Sequence, residues 1–260
     1  MRVAVLVKQV PDSWAVKRLR ADDVRLDRDA CDRVLNDLDE YAIEQALVWQ
    51  ETLGAEVVLI SMGPAVAEEA LRRGLSMGAD SAVLVSDSTL AGVDVFGTAQ
   101  VLAAAVRHVA PDVVLTGVAS TDGATGVVPS MVAEMLGWPG LTRALSVELG
   151  DGRVIVSRES DYESVTLNAA LPAVVSIADH INTPRFPNFK GIMAAKKKVV
   201  EVLTLADLGL AIESARAVAV GSDDVPTRVA GPKVVDTGGD SVSALVEFLD
   251  GRGLLREVRS

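Results

Sequence analysis

Four short apolar runs, each followed by a helical pattern, constrain this chain more than any other feature. They are "VAVLV" from Val3, "AEVVLISM" from Ala55, "SAVLVSD" from Ser81 and "PDVVLTG" from Pro111. Runs this short and this continuously apolar read as strands buried on both faces. The intervening stretches carry helical spacing. In "DRVLNDLDEYAIEQALVWQETLG" the residues Ala42, Ile43, Ala46, Leu47 and Trp49 share a face, Asp37 and Glu40 have capping-box spacing, and Gly54 ends the helix. Further helices are expected at about 65–77, at roughly 94–109 and over "VVPSMVAEMLG". Strands alternating with helices at this spacing require right-handed crossovers, so the expected class is α/β, with a mostly parallel sheet covered on both faces.

The pattern changes after Gly137. "ALSVELGDGRVIVSRESDYESVTLNAALPAVVSIAD" contains several short strands with a turn at 150–152. It predicts an antiparallel extension of the sheet. "VVEVLTLADLGL" adds a strand and a turn. Residues 218–240 have Gly, Pro and charge without a core-forming period and read as an arm. In the last helix Val242, Leu245, Val246 and Leu249 share an apolar face that needs a partner, in this chain or in another subunit. The expected division is an α/β domain over 1–205 and a C-terminal arm over 206–260.

Composition removes whole classes of function. The formal net charge is -11, which argues against nucleic acid or anionic membrane as general partners. No apolar run approaches the length of a membrane span, and the start of the chain lacks a cleavage-site pattern. One cysteine, Cys31, and two histidines, His108 and His180, leave no basis for a Cys/His metal site or a catalytic triad. The expectation is a cytoplasmic protein without catalytic or metal-binding residues.

Ligands of open parallel sheets bind at the carboxyl ends of strands. The strongest loop signal there is "LTGVASTDGATGVVPSM". Gly123 and Gly126 permit positive φ and close approach, and Pro129 suits an early helical position. N–H groups around 123–127 then form an anion site suited to a phosphate, with Ser120 and Thr125 adding hydroxyls. Asp122 would repel a phosphate and is assigned to a ribose hydroxyl or to bracing the loop. A plain helix-capping turn is the competing reading. "VLNDLDE" and "ISMGPA" supply two more facing loops.

One stretch stands apart from this acidic chain. "PRFPNFKGIMAAKKK", residues 184–198, gathers two of its four Phe and three consecutive Lys. Together with "VLVKQVPD", "LNDLDEYAIEQAL", "SMGP", "LSMGADSAVLV", "TDGATG", "GWPG" and "LPAVVSIAD", in this order, it resembles the β subunit of electron transfer flavoproteins over residues 1 to about 210. The resemblance implies a Rossmann-like fold of the adenine nucleotide alpha hydrolase-like kind, and a heterodimer whose α subunit holds most of an FAD. It implies AMP in this subunit, at Leu6, Asn36, Asp37, Leu38, Asp39, Met62, Val113, Gly117, Ser120, Thr121, Asp122, Gly123, Ala124, Thr125 and Gly126. Leu38 and the Asp12–Ser13 turn would lie toward the flavin. It further implies electron transfer from dehydrogenases, such as the acyl-CoA dehydrogenases of fatty acid oxidation, to a quinone oxidoreductase. Phe189 would be the docking anchor, with Ile192 and Met193 beside it and Lys196, Lys197 and Lys198 steering. Two alternatives remain: a bifurcating relative with a second FAD in place of AMP, and a stand-alone adenine-nucleotide module similar to universal stress proteins.

Overall fold

The computed structural model describes residues 1–212, 215–223, 226, 228–231, 233, 235–236 and 238–255. The remaining positions of the predicted arm, and the last five residues, lie outside the described residues. Two compact units are present, 1–220 and 221–260.

The first unit is built on seven strands: β1 (Arg2–Leu6), β4 (Glu56–Met62), β5 (Ser81–Val85), β6 (Val113–Gly117), β7 (Gly140–Ala144), β11 (Ala173–Ile177) and β12 (Val200–Leu203). Their order across the sheet is β12-β5-β4-β1-β6-β11-β7, and every neighbouring pair is parallel. Alternation along β1 shows why both faces are covered. Val3 and Val5 join one buried cluster, while Ala4 and Leu6 join the other. Helices α1 (Asp37–Leu53) and α2 (Glu68–Met77) pack on the first face. Helices α3 (Val95–Val109) and α4 (Val128–Leu136) pack on the second.

The connectivity sets the position of the site. From β1 the chain winds outward to β4 and β5, then returns to place β6 on the other side of β1. The order reverses between β1 and β6, so a crevice opens at their carboxyl ends.

The antiparallel strands differ from expectation. β8 (Ser146–Gly150), β9 (Arg153–Glu159) and β10 (Ser164–Ala170) form their own sheet instead of extending the main one. Val154 and Val156 of β9 are buried while Arg153 and Ile155 are exposed. One apolar face therefore packs on the core, and the chain re-enters the main sheet in parallel as β11. A small pair, β2 (Gln9–Pro11) with β3 (Arg33–Leu35), brackets the excursion between them. Helix α5 (Phe189–Ala195) precedes β12. The second unit carries α6 (Asp240–Asp250), in which no residue is buried. Among the described residues no helix is long and apolar enough to cross a membrane.

Candidate functional site

A cavity of about 290 Å³ occupies the crevice between β1 and β6. Its apolar wall includes Leu6, Met62, Val93, Leu102 and Val128, and its polar side includes Lys8, Ser120, Thr125 and Gly126. Asp39, Gly117 and Gly123 also line it. Eight of the residues expected to hold nucleotide thus meet in one place.

The N-terminus of α1 joins the two strand ends. Asn36 precedes the helix and is fully buried. Its Nδ2 donates to Ala119 O at 2.9 Å, and its Oδ1 accepts from Thr121 N–H at 3.1 Å. Asn36, not Asp37, is therefore the capping position, and its amide braces the loop after β6 instead of capping the helix. Asp39 accepts Lys8 N–H at 2.8 Å and faces Gly117 N–H, so one carboxylate ties the ends of β1 and β6 together. Gly117 is required here. A Cβ would fall 2.5 Å from Asp39 Oδ1 and 2.7 Å from Leu38 O.

Burial pushes the Asp39 carboxyl up to about 7, against the hydrogen bonds from Asn36 and from the N–H groups of Lys8 and Gly117. In the unfolded chain the value is about 3.9. A folded value above the unfolded one contributes stability that is complete below pH ~4 and lost as pH rises through about 7. Asp39→Asn removes that loss. The Tm difference, variant minus wild type, is expected to rise between pH ~4 and ~7 and to stay level above. A difference independent of pH in thermal unfolding would overturn this.

The loop itself is held from within. Asp122 has a fully buried side chain; it accepts Lys8 Nζ at 2.8 Å, Arg28 Nη2 at 2.6 Å and Gly123 N–H at 2.7 Å. Burial alone would raise its pKa, but the Lys8 charge and the hydrogen bonds from Lys8, Arg28 and Ser120 prevail and hold it well below the usual carboxylate range. Ala124 N–H donates to Ser120 O at 2.8 Å. Positive φ falls at Ala124 (49°) and Gly126 (63°), not at Gly123 as expected. Gly123 serves instead for close approach, since a Cβ there would lie 3.3 Å from Ser120 Oγ. Among the described residues no protein acceptor takes the N–H of Thr125, Gly126 or Val127. These three lead directly into α4, which has no side-chain cap and carries Pro129 in its first turn. That is an anion-binding arrangement of N–H groups at a helix N-terminus.

Five expected contacts lie elsewhere. Val113 sits at the start of β6, paired with Val3 and Ala173, roughly 13 Å of strand from Gly117. Lying at the amino end of the strand, it belongs to the core. Thr121 and Asp122 brace the loop, and Ala124 is exposed. Asp37 points to a separate cleft of about 520 Å³, where Ser13 Oγ donates to its carboxylate at 3.2 Å. Trp14 and Phe186 flank that cleft, 96% and 88% exposed. Trp14 escaped the sequence reading, which stopped at Asp12–Ser13, and Phe186 was noted there only as part of the 184–198 stretch. Also missed was the wall formed by Val93, Asp94 and Thr98. Its readable signal was Asp94, whose carboxylate caps α3 through Gly97 N–H at 3.0 Å.

The 184–198 stretch is fastened to α1 and α2. Arg185 donates to both carboxylate oxygens of Glu44 at 2.8 and 2.9 Å and also reaches Glu51. Its hydrogen bonds to these carboxylates, Glu44 first, raise its pKa further. Asn188 caps α5 by accepting Gly191 N–H at 2.8 Å. Gly191 lets α5 press on α2, since a Cβ would lie 2.4 Å from Ser76 O. Phe189 is left 80% exposed, with Ile192 and Met193 partly exposed beside it. Lys196 and Lys197 are exposed. Lys198 is a correction: its ammonium turns inward and donates to Leu75 O, Gly78 O and Ala79 O. It satisfies carbonyls at the C-terminus of α2 and is not available for steering. Burial lowers its pKa, opposed by Asp80. His108 lies in the last turn of α3, 3.2 Å from Glu201, and His180 is exposed.

The family model described as "Electron transfer flavoprotein domain" matches residues 24–208. An electron transfer flavoprotein subunit beta from Mycobacterium leprae is 43% identical over 95% of this chain and 97% of its own length. A protein of the same description from Thermoanaerobacterium thermosaccharolyticum is 35% identical over 98% and 100%. The caffeyl-CoA reductase-Etf complex subunit CarD of Acetobacterium woodii is 35% identical over 88% and 86%. With the parallel sheet, the crevice at the β1–β6 reversal and these matches in place, the chain belongs to the electron transfer flavoprotein family, among its beta subunits.

Proposed function

We propose that this chain is one half of a heterodimeric, cytoplasmic electron carrier. It pairs with an α subunit that holds most of an FAD, takes electrons from dehydrogenases such as acyl-CoA dehydrogenases, and delivers them to a quinone oxidoreductase. The observation that carries this reading is the presentation of Phe189: an aromatic side chain left exposed on a helix that Arg72, Gly191 and Lys198 fasten to α2. Exposing an apolar side chain on a fixed support suits brief docking.

Bound FAD supplies the redox chemistry, and the protein supplies binding and orientation. Leu38 and the cleft beside Trp14 and Phe186 would flank the flavin, with Arg33 and Arg73 as nearby basic groups. AMP would fill the β1–β6 cavity. Leu6, Met62 and Leu102 suit the base, and the N–H groups of Thr125, Gly126 and Val127 suit the phosphate. The volume is near the lower end for small-ligand sites, which suits a mononucleotide. The apolar face of α6, a helix with no buried residue, suits packing on the α subunit.

A second reading, FAD in place of AMP, draws support from the CarD relative. Composition of the purified complex separates the two. Produced together with its α subunit, the chain is expected to yield a yellow heterodimer that releases one FAD and one AMP on denaturation. Two FAD per heterodimer would replace AMP with the bifurcating reading. A colourless homodimer that releases ATP would sink both.

A further inference from the structure

We propose that Asp122 sets the number of phosphates the β1–β6 cavity accepts, acting as a built-in counter-anion that restricts it to nucleoside monophosphates. The inference rests on the nucleotide reading above and adds a specificity-determining residue to it.

Lys8 is the one lysine or arginine that lines the cavity among the described residues. Its ammonium is already engaged, by Asp122 at 2.8 Å and Ser120 Oγ at 3.3 Å. Arg28, from the short turn Arg28–Ala30, approaches the same carboxylate from outside and makes two bonds, at 3.2 and 2.6 Å. Asp122 also takes Gly123 N–H. The two cations and one of the loop N–H groups that a polyphosphate would need are therefore spent on a carboxylate inside the protein. Asp94, which lines the same cavity and is held ionised by backbone N–H groups, adds negative charge. What remains for an anion is the group of N–H donors at Thr125, Gly126 and Val127, about enough for one phosphate. Each further phosphate would bring charge toward Asp122 and Asp94 without a free counter-charge.

The two ends of the Asp122–Arg28 pair make opposite predictions, which a purely structural role for the pair would not. Asp122→Asn removes a buried negative charge and frees Lys8. Arg28→Gln, at a residue outside the cavity lining, removes an outer positive charge and leaves Asp122 less compensated. The full-length chain, purified with its partner subunit and freed of nucleotide, is titrated calorimetrically with adenosine, AMP, ADP and ATP. Wild type is expected to prefer AMP. In Asp122→Asn the ratio of ATP to AMP affinity should rise by roughly tenfold or more, and in Arg28→Gln it should fall, with adenosine affinity in Arg28→Gln within about threefold of wild type. If both variants shift the ratio in the same direction, or leave it unchanged while adenosine still binds, the assignment is wrong. Should Asp122→Asn fail to fold, an unchanged or raised ratio in Arg28→Gln alone overturns it. Wild type that binds neither adenosine nor any of the nucleotides defeats the nucleotide reading, and this inference with it; wild type that binds all of them with equal affinity defeats only this inference.

Discussion

Phe189→Ala is expected to slow reduction of the heterodimer by an acyl-CoA dehydrogenase about ten- to hundredfold at low concentration, with flavin content unchanged. Burying one aromatic side chain at a contact contributes about 1.5–3 kcal/mol, which corresponds to that range. The effect should fall on the second-order rate, because the ring acts in capture and not in the chemistry. The fold should be untouched. Phe189 is exposed, and the cap from Asn188, the contact at Gly191 and the Lys198 hydrogen bonds to α2 do not involve its ring. Stopped-flow reduction at several dehydrogenase concentrations measures this. An unchanged rate with normal flavin would remove Phe189 from the docking surface.

Gly117→Ala should be the most damaging single methyl in the nucleotide region. The added carbon would meet Asp39 Oδ1 at 2.5 Å and the Leu38 carbonyl group at 2.7–2.8 Å. Backbone cannot swing aside as a side-chain tip can, so the start of α1 must move. Overpacking of this kind costs about 1–3 kcal/mol, or about 2–4 °C in Tm per kcal/mol for a domain of this size. The shift would also disturb Asn36, which braces 119–121, and Asp39, which holds the end of β1. Bound nucleotide should drop at least in proportion. Gly150→Ala is the control, because open space surrounds an added methyl there. Equal Tm and nucleotide content in both variants would refute the argument.

The parallel sheet was legible because each of its central strands is a continuous apolar run, and burial on both faces leaves no other reading for so short a segment. The loop that lines the β1–β6 cavity was legible because Gly, Pro and a hydroxyl cluster follow a buried strand. Other features depended on which segments meet. Arg28 and Asp122 are 94 residues apart, and Arg185 and Glu44 are 141 apart. No local pattern marks either pair, since each exists only after the crossovers bring distant loops together.

The residues by themselves determined the α/β class, the helix that ends at Gly54, the glycine-rich turn before Pro129 and the oddity of the 184–198 stretch. Each of these follows from local periodicity or from the conformational freedom of single residues. Only the tertiary structure decided that Val113 is core, that the antiparallel strands stand as a separate sheet, that Asp122 is locked between Lys8 and Arg28, and that Lys198 points inward. Those outcomes turn on where a charge finds its partner. A lysine in a run of three reads as solvated until three carbonyls at and just past the end of α2 are seen to surround it.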